Sequence, residues 1–311
     1  MILTVTLNPA LDITYRVDSV VPHATHRVRQ VAERPGGKGV NVANLVHRLG
    51  EPVTATGLIG GHTGERVTDL LAAEGVPADF VAIAGETRRT VVVHDGGASG
   101  GTATGFWEPG PTVTPAEWER FTARFRDLVS TADVVTVSGS LPSGVPVDAY
   151  ATLVRIAREA GVPVILDADG EPLRHGLAAG PSIVKPNAEE LAAAIGHPPS
   201  DPDEARSAAQ RLHQTSGAAI VASLGPDGLI AVTEAGQWRA VPPPQAGNPT
   251  GAGDAVVAML ARGLRHGTPW PERLADAAAF SAAAVLAPVA GVVELDAYRR
   301  IRTDVTIKEM P

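Results

Sequence analysis

The stretch QAGNPTGAGDAVVAML, residues 245–260, places three glycines close to a single acid, Asp254, and then becomes almost entirely apolar. The apolar run predicts a buried helix over residues 253–266. Glycine loses more backbone freedom on folding than any other residue, so a cluster at a helix start indicates that something approaches the main chain closely there. The stretch therefore predicts a ligand site at the beginning of a helix.

The chemistry of this segment suits a negatively charged ligand. The backbone N–H groups of Gly251, Ala252 and Gly253 would point into the space before the helix, where free amides and the helix dipole bind anions. Phosphoryl transfer needs such a cradle and also a carboxylate, here Asp254, that takes the proton of the attacking hydroxyl. A helix cap on a glycine-rich loop is the alternative interpretation.

Two further segments place polar side chains beside glycine or at a strand end. In PGGKGVNVANLVHRLG, residues 35–50, Lys38 is placed to meet a phosphate and Asn41 projects from the first helical turn. LNPALD, residues 7–12, ends a predicted strand with Asp12, at the sheet edge where ligands bind in α/β folds, and a carboxylate accepts hydrogen bonds from sugar hydroxyls. The alternatives are a solvated lysine and an Asx-turn.

Three segments give weaker signals. VSGSLPSG (137–144) lines a pocket or only forms a turn, and SLGPDGLIAV (223–232) is a strand, a turn and a strand that would border a nucleotide. VKPNAEEL (184–191) offers the oxygen ligands that Mg²⁺ favours, or is an acid-rich helix start. The nine histidines show no metal-binding spacing, and neither a Walker A loop nor a G-x-G-x-x-G segment occurs.

Strands and helices alternate along most of the chain, which predicts an α/β fold with a doubly wound, mostly parallel sheet. The strands are apolar on both faces, as parallel strands covered by helices should be. They are predicted at 2–7, 134–137, 163–167, 182–185, 219–223 and 229–232. Helices are predicted at 39–49, 64–74, 115–131, 147–160, 188–195, 202–216, 253–266 and 271–287.

Two segments, 13–35 and 87–110, alternate polar and apolar residues instead, and the second turns through a glycine-rich tip. We expect hairpins that form a small second sheet, a lid beside the main sheet. Ordinary surface hairpins are the alternative. The predicted core then comprises residues 1–12, 36–86 and 111–311.

Composition excludes several classes of protein. The formal charge of −8 comes without a basic stripe for nucleic acid or a polybasic membrane patch. The absence of cysteine excludes disulfides and thiolate catalysis, and is compatible with a cytoplasmic protein. No signal peptide is expected at MILTVTLNPALD, and the longest apolar-rich stretch, 277–293, is broken by Pro288, so no membrane span is predicted.

Taken together and in this order, TLNPALD, GGKGVNVA, ETRRT, SGSLPSG, KPNAEE, SLGPDG and NPTGAGD resemble the PfkB-type (ribokinase-like) carbohydrate kinases along nearly the whole chain. TLNPALD, GGKGVNVA and NPTGAGD are similar in particular to the phosphosugar branch, which holds 1-phosphofructokinase, tagatose-6-phosphate kinase and the minor 6-phosphofructokinase. The resemblance implies a ribokinase-like fold, ATP and Mg²⁺ as cofactors, and a homodimer that pairs through the lid.

The resemblance also implies a role for each matching residue. The implied catalytic residues are the base Asp254 and an anion hole of Gly251, Ala252 and Gly253. The substrate-binding residues are Asp12, Gly37, Lys38, Asn41, Arg88 and Ser138, with Arg89 as the adjacent candidate. Lys185, Asn187, Ser223, Gly225 and Gly228 would bind the nucleotide, and Asn187 and Glu190 the metal.

The implied reaction is ATP-dependent phosphorylation of a primary hydroxyl of a ketohexose monophosphate, with fructose 1-phosphate first and tagatose 6-phosphate or fructose 6-phosphate next. Gly105 and Trp107 depart from the family pattern TEINxPGP, where an acid and an asparagine lie near the sugar. Ser281 lies where an asparagine is frequent. The alternatives are a kinase for an unphosphorylated sugar or nucleoside, a non-catalytic sugar-binding or regulatory protein, and, disfavoured by the absent dinucleotide motif, a nicotinamide reductase.

Overall fold

The computed structural model describes residues 1–95 and 102–311; the glycine-rich tip predicted for the second hairpin lies in 96–101, outside the described residues. The strands are β1 (Ile2–Thr6), β2 (Ala10–Val17), β3 (Gln30–Gly36), β4 (Val53–Ile59), β5 (Ala78–Ala82), β6 (Arg88–Asp95), β7 (Thr102–Trp107), β8 (Val134–Ser138), β9 (Val164–Asp167), β10 (Ile183–Val184), β11 (Ala219–Ser223), β12 (Leu229–Thr233), β13 (Gly236–Val241) and β14 (Thr306–Glu309). The helices are α1 (Lys38–Arg48), α2 (Gly61–Ala73), α3 (Pro115–Val129), α4 (Ala149–Glu159), α5 (Gly170–Ala178), α6 (Ala188–Ile195), α7 (Pro202–Ser216), α8 (Ala252–Arg265), α9 (Trp270–Val285) and α10 (Leu295–Thr303).

A large, mostly parallel sheet forms the centre of the molecule. Its strands lie in the order β14-β13-β12-β11-β10-β9-β8-β1-β4-β5, and every neighbouring pair from β11 to β5 is parallel. One apolar cluster joins one face to α1, α2, α8, α9 and α10, and a second joins the other face to α3, α4, α6 and α7. The predicted doubly wound α/β fold is therefore confirmed.

The prediction of a parallel strand at 229–232 was wrong. β11 precedes β12 and β13 follows it, each through a short turn, and β12 is antiparallel to both. β14 pairs with β13 and extends this antiparallel part of the sheet. A buried antiparallel strand is as apolar as a parallel one, so composition did not separate the two cases. The strands β4, β5, β13 and β14 and the helices α5 and α10 were not predicted from the sequence.

A separate small sheet contains the two predicted hairpins. Its order is β3-β2-β6-β7; β2 and β3 form one antiparallel pair, β6 and β7 the other, and β2 runs parallel to β6. The hairpins therefore meet as the sequence suggested. The exact domain boundaries, 13–35 and 87–110, remain a prediction, and β2 begins slightly earlier, at Ala10.

Among the described residues, none of the helices has the length and apolar character needed to cross a bilayer.

Candidate active site

A cleft of about 680 Å³ lies between one side of the small sheet and the carboxyl ends of the parallel strands; we call it the main cleft. Polar residues that follow different strands meet there, as expected at the carboxyl edge of an open α/β sheet. It gathers most of the residues that the sequence predicted for a site. These are Asp12, Gly37, Lys38, Asn41, Arg88, Lys185, Asn187, Ser223, Gly251, Gly253 and Asp254.

Asp254 lies in the first turn of α8, with its carboxylate facing the main cleft although only 6% of the residue is exposed. The side-chain amide of Asn41 donates a hydrogen bond of 2.8 Å to its Oδ2. Burial, and next the nearby carboxylate of Asp167, raise the pKa of Asp254 to about 7. An acid with this pKa takes and releases a proton near neutral pH, which is what a general base requires.

Glycine at the start of α8 has a steric reason. Gly251 caps the helix with a φ of +85°, and a Cβ on it would lie 2.8 Å from the Cβ of Ala290. A Cβ on Gly253 would lie 3.6 Å from the Lys185 ammonium, so this residue faces Lys185 across the cleft. The Ala252 amide donates to the Pro249 carbonyl at 3.1 Å and is already engaged. Of the predicted anion hole, Gly251 and Gly253 line the main cleft.

Asp167, which was not predicted from the sequence, lies between the two lysines of the main cleft. It ends β9, is 1% exposed, and its Oδ1 lies 3.2 Å from the Lys185 ammonium and 3.4 Å from that of Lys38. Burial alone would lower the pKa of Lys38, but Asp167, followed by Glu190 and Asp254, raises it. Asp167 thus favours the charged form of Lys38 and also contacts Lys185. In the sequence this residue is the acid at the end of the apolar segment PVILD, residues 163–167, where a strand is predicted to reach the ligand-binding edge of the sheet.

Asp12 faces the main cleft from β2 and accepts a hydrogen bond from the Thr90 hydroxyl. Its carboxylate lies over Gly36, where a Cβ would approach it to 2.2 Å, so a larger residue at this point of β3 would displace the carboxylate. Burial raises the pKa of Asp12, while Thr90, Arg88 and Arg34 oppose the rise. The half-buried carboxylate lines the main cleft, where it can accept a hydrogen bond.

Of the two adjacent arginines, only Arg88 lines the main cleft. Its Nε donates to the Asn8 carbonyl at 3.3 Å, and burial lowers its pKa. The guanidinium of Arg89 pairs instead with Glu108 at 2.6 Å. The structure does not bring Ser138 to the cleft either: this residue ends β8, is fully buried and does not line the cleft.

A second opening of about 490 Å³, which we call the side cavity, adjoins the main cleft and shares Ser223 and Gly253 with it. Gly225, Gly228, Ala252 and Ser281 line it together with apolar groups. The apolar lining comes chiefly from Pro226, Pro242, Pro243, Pro244, Val256, Ala278, Ala282 and Val285. A flat, apolar ring would fit this lining, so the predicted nucleotide residues of 223–228 border a suitable space.

Asn187 and Glu190 form a capping box at the start of α6. The Asn187 side chain accepts from the Glu190 amide at 2.8 Å, and Glu190 accepts from the Asn187 amide at 2.9 Å. Burial raises the pKa of Glu190. Within the described residues, no cluster of three or more His, Cys, Asp or Glu side chains forms a ready metal site.

The profile of the pfkB family carbohydrate kinases matches residues 5–294 of this chain. The chain belongs to the pfkB family. Its structure is similar to phosphofructokinase-2 from Escherichia coli in complex with potassium, with 33% identity over 97% of this chain and 98% of the other and a TM-score of 0.92. It is also similar to a "possible 1-phosphofructokinase" from Thermotoga maritima, with 30% identity over the full length of both chains and a TM-score of 0.89.

Family membership makes this chain a carbohydrate kinase, and PfkB kinases use ATP as phosphate donor. The phosphofructokinase neighbours, at 33% and 30% identity, support a sugar-phosphate kinase of that type. The predicted family and enzyme class are confirmed. Ribokinase from Arabidopsis thaliana shares the fold, with a TM-score of 0.75 at 21% identity over 97% of this chain and 98% of the other.

Proposed function

We propose that this PfkB kinase transfers the γ-phosphoryl group of ATP to a primary hydroxyl of a ketohexose monophosphate. Fructose 1-phosphate, which would give fructose 1,6-bisphosphate, is the first candidate; tagatose 6-phosphate and fructose 6-phosphate are the alternatives. The observation that carries the proposal is the position of Asp254, a carboxylate with a pKa of about 7 at a helix start, in a cleft rich in cations. It directly follows Gly253, which the main cleft shares with the apolar side cavity.

In the proposed reaction Asp254 accepts the proton of the sugar hydroxyl while the hydroxyl oxygen forms a bond to the γ-phosphorus. The bond from that phosphorus to the bridging oxygen breaks, and ADP leaves with the electron pair. Asn41 orients the carboxylate through its 2.8 Å hydrogen bond. General-base assistance of this kind contributes about 10²–10⁴-fold to a rate.

The cations of the main cleft divide into two sets. Lys38 and Lys185 share Asp167, so we place both beside the transferring phosphoryl group, with Gly251 and Gly253 facing it from α8. This moves Lys38 away from the sugar phosphate that the sequence analysis gave it. Arg88, on the small sheet, is proposed to bind the phosphate of the acceptor, since a guanidinium donates two parallel hydrogen bonds to such a group.

Asp12 is proposed to bind the sugar hydroxyls, and the side cavity, bordered by Ser223, Gly225 and Gly228, is proposed to hold the nucleoside of ATP. Mg²⁺ is proposed to bind near Asn187 and Glu190. Asn187 lines the main cleft, and the half-buried Glu190 carboxylate, held by Asn187, would reach the ion through water. When bound, the ion would neutralise charge on the ATP phosphates.

The chain is also proposed to form a homodimer through the small sheet. Val31 and Phe106 are 56% and 60% exposed on its strands, and buried apolar surface favours association. Phosphofructokinase-2 from Escherichia coli, for comparison, has a tetrameric inhibited form. Sedimentation of the purified protein at several concentrations tests this proposal.

The test of the proposed function is a side-by-side assay of ADP release with fructose 1-phosphate, fructose 6-phosphate, tagatose 6-phosphate and free fructose. We expect the highest kcat/KM with fructose 1-phosphate and turnover of fructose lower by at least about 10³-fold, because Arg88 would lose its phosphate partner. Arg88→Gln should lower kcat/KM for the phosphorylated sugars and leave free fructose unchanged. Equal turnover of fructose and its phosphates would contradict the proposal.

A further inference from the structure

The strand β7 presents Gly105 and Trp107 to the main cleft, while Phe106 between them does not line it. The register of the small sheet places Trp107 opposite Thr90, Thr90 opposite Asp12, and Asp12 opposite Arg34. One line of side chains therefore crosses all four strands on the cleft side: an aromatic ring, a hydroxyl, a carboxylate and a guanidinium.

Trp107 is 70% exposed although it is the largest side chain of this line, so its indole is free to contact a ligand in the cleft. The ring lies against the backbone of Gly105: a Cβ there would be 2.4 Å from the indole atom Cη2 and 2.7 Å from Cζ3. Any residue other than glycine at 105 would displace the ring. Gly105 and Trp107, the two departures from the family pattern, therefore depend on each other: the glycine leaves the space that the indole occupies.

The indole and the hydrogen-bonding carboxylate lie on one side of the small sheet, two strands or about 10 Å apart, and together match the chemistry of a sugar ring. A sugar has polar edges formed by its hydroxyls and an apolar face formed by its C–H groups; Asp12 suits the edge, and an aromatic ring suits the face. The nucleobase is proposed to occupy the side cavity, which has an apolar lining of its own and which Trp107 does not line. The sugar is therefore the ligand that this aromatic ring meets.

We propose that Trp107, given its position by Gly105, is a specificity-determining residue whose indole stacks on the C–H face of a cyclic sugar phosphate. This rests on the proposed function. The stacking favours a furanose ring over an open-chain polyol phosphate, which presents no fixed apolar face.

The test combines kinetics with four variants: Trp107→Ala, Trp107→Phe, Gly105→Ala and the control Phe106→Ala. Trp107→Ala should raise KM for the preferred ketohexose phosphate about tenfold with kcat changed less than about twofold, since stacking contributes to binding before transfer. Trp107→Phe should retain part of the affinity, and Gly105→Ala should raise KM by displacing the ring. Phe106→Ala removes an exposed aromatic on the other side of the same strand, within the proposed subunit contact. Assayed at a concentration at which it sediments like the wild type, it should change KM much less than Trp107→Ala does.

Two binding readouts separate stacking from a general loss of structure. Titration with the sugar phosphate in the absence of ATP should quench tryptophan fluorescence in the wild type and in Phe106→Ala, and not in Trp107→Phe. The inhibition constant of glucitol 6-phosphate, an open-chain competitor, should be nearly the same in the wild type and in Trp107→Ala.

The outcomes distinguish this inference from the proposed function. A wild type inactive on every ketohexose monophosphate would refute the function, whatever Trp107 does. An active wild type whose KM is unaffected by Trp107→Ala would overturn the inference alone. So would a KM change that disappears when the protein concentration is raised, because Trp107 would then act through a subunit interface.

Discussion

The carboxylate of Asp254 is buried, and burial disfavours its ionised form. Burial and the Asp167 carboxylate raise its pKa to about 7, whereas Asn41, Lys38 and Lys185 act in the opposite direction. A base with a pKa close to the working pH combines a sufficient ionised fraction with sufficient strength. The ionised form lowers the free energy of unfolding, because a charged carboxylate is less favourable in the folded protein than in water.

The first prediction at this scale concerns pH. The base must be ionised, so kcat/KM should rise as the pH increases through about 7 and level off above it. Asn41→Leu removes the hydrogen bond that lowers the pKa, so the midpoint should move to higher pH. Initial rates between pH 5.5 and 9 measure both midpoints. A flat wild-type profile, or an Asn41→Leu midpoint below the wild type, would contradict the assignment.

The sequence predicted Asp254 and its glycines but not Asp167. The GAGD segment combines several unusual residues, whereas Asp167 is one acid after a strand, a common arrangement in α/β proteins. Only the fold shows that this acid lies between Lys38 and Lys185. Likewise, Arg88 and Arg89 are equivalent in sequence, and the alternation of β6 decides that Arg88 faces the cleft.

At the scale of elements, the helix α8 connects the chemistry to the sheet. Its first residues face the main cleft and its remaining turns are buried, with apolar residues from Ala255 to Ala261 in the core. The start of the helix is fixed by Gly251, whose backbone conformation and lack of a side chain let the loop at Ala290 pack against it. A change at this glycine should therefore act on both structure and catalysis.

Gly251→Ala is the prediction for this element. It places an L-residue at φ +85° and a methyl 2.8 Å from the Cβ of Ala290, so the free energy of unfolding should fall by about 1–3 kcal/mol and kcat by at least about tenfold. Gly267→Ala is the matched control after the other end of α8: its φ is +63° with no atom within 4 Å of the added Cβ. It should lose about 1 kcal/mol of stability and keep its kcat.

Chemical denaturation and initial rates measure the two effects on the same preparations. Equal kcat in Gly251→Ala and Gly267→Ala would show that the start of α8 has no part in the transfer.

Elements differed in how well the sequence predicted them. Helices with clear apolar periodicity, such as α7 at Pro202–Ser216, were found with their bounds. The strand β4, VTATGLI, was not, because glycine and alanine weaken its strand signal, although it lies between β1 and β5. The orientation of β12 depends on the turn that precedes it and not on its own composition, so it could not be predicted from apolar content.

At the scale of the whole molecule, α8 links the active site to the opposite edge of the sheet. There the buried carboxylate of Glu51 accepts hydrogen bonds from Arg262 at 2.9 Å and Arg265 at 2.7 Å and contacts His266 at 2.7 Å. Burial alone would raise the pKa of Glu51, but these three partners lower it below its usual value. Cations at the end of α8 also complement the helix dipole.

Glu51→Gln should therefore destabilise the protein without changing the chemistry. The stabilisation from Glu51 is present above its unfolded pKa, near 4.5, and is lost as the pH falls through the lower folded value. At pH 7 we expect a loss of about 2–3 kcal/mol in the free energy of unfolding, decreasing below about pH 4, with kcat unchanged.

Asp133→Asn is the control at the same edge of the sheet. Asp133 also pairs with Arg265, at 2.9 Å, but its side chain is 50% exposed, so its loss should cost less than about 1 kcal/mol. Equal effects of the two substitutions at pH 7, measured by denaturant unfolding, would show that burial does not set the strength of this network.

The central claim is tested most directly by Asp254→Asn, assayed for ADP release with fructose 1-phosphate and, separately, for sugar-phosphate binding without ATP. The account predicts a loss of kcat of about 10²–10⁴-fold with binding within about threefold of the wild type. It also predicts unfolding at pH 8 no easier than in the wild type, because the amide carries no buried charge. A folded Asp254→Asn variant that retains near-normal kcat would contradict the account.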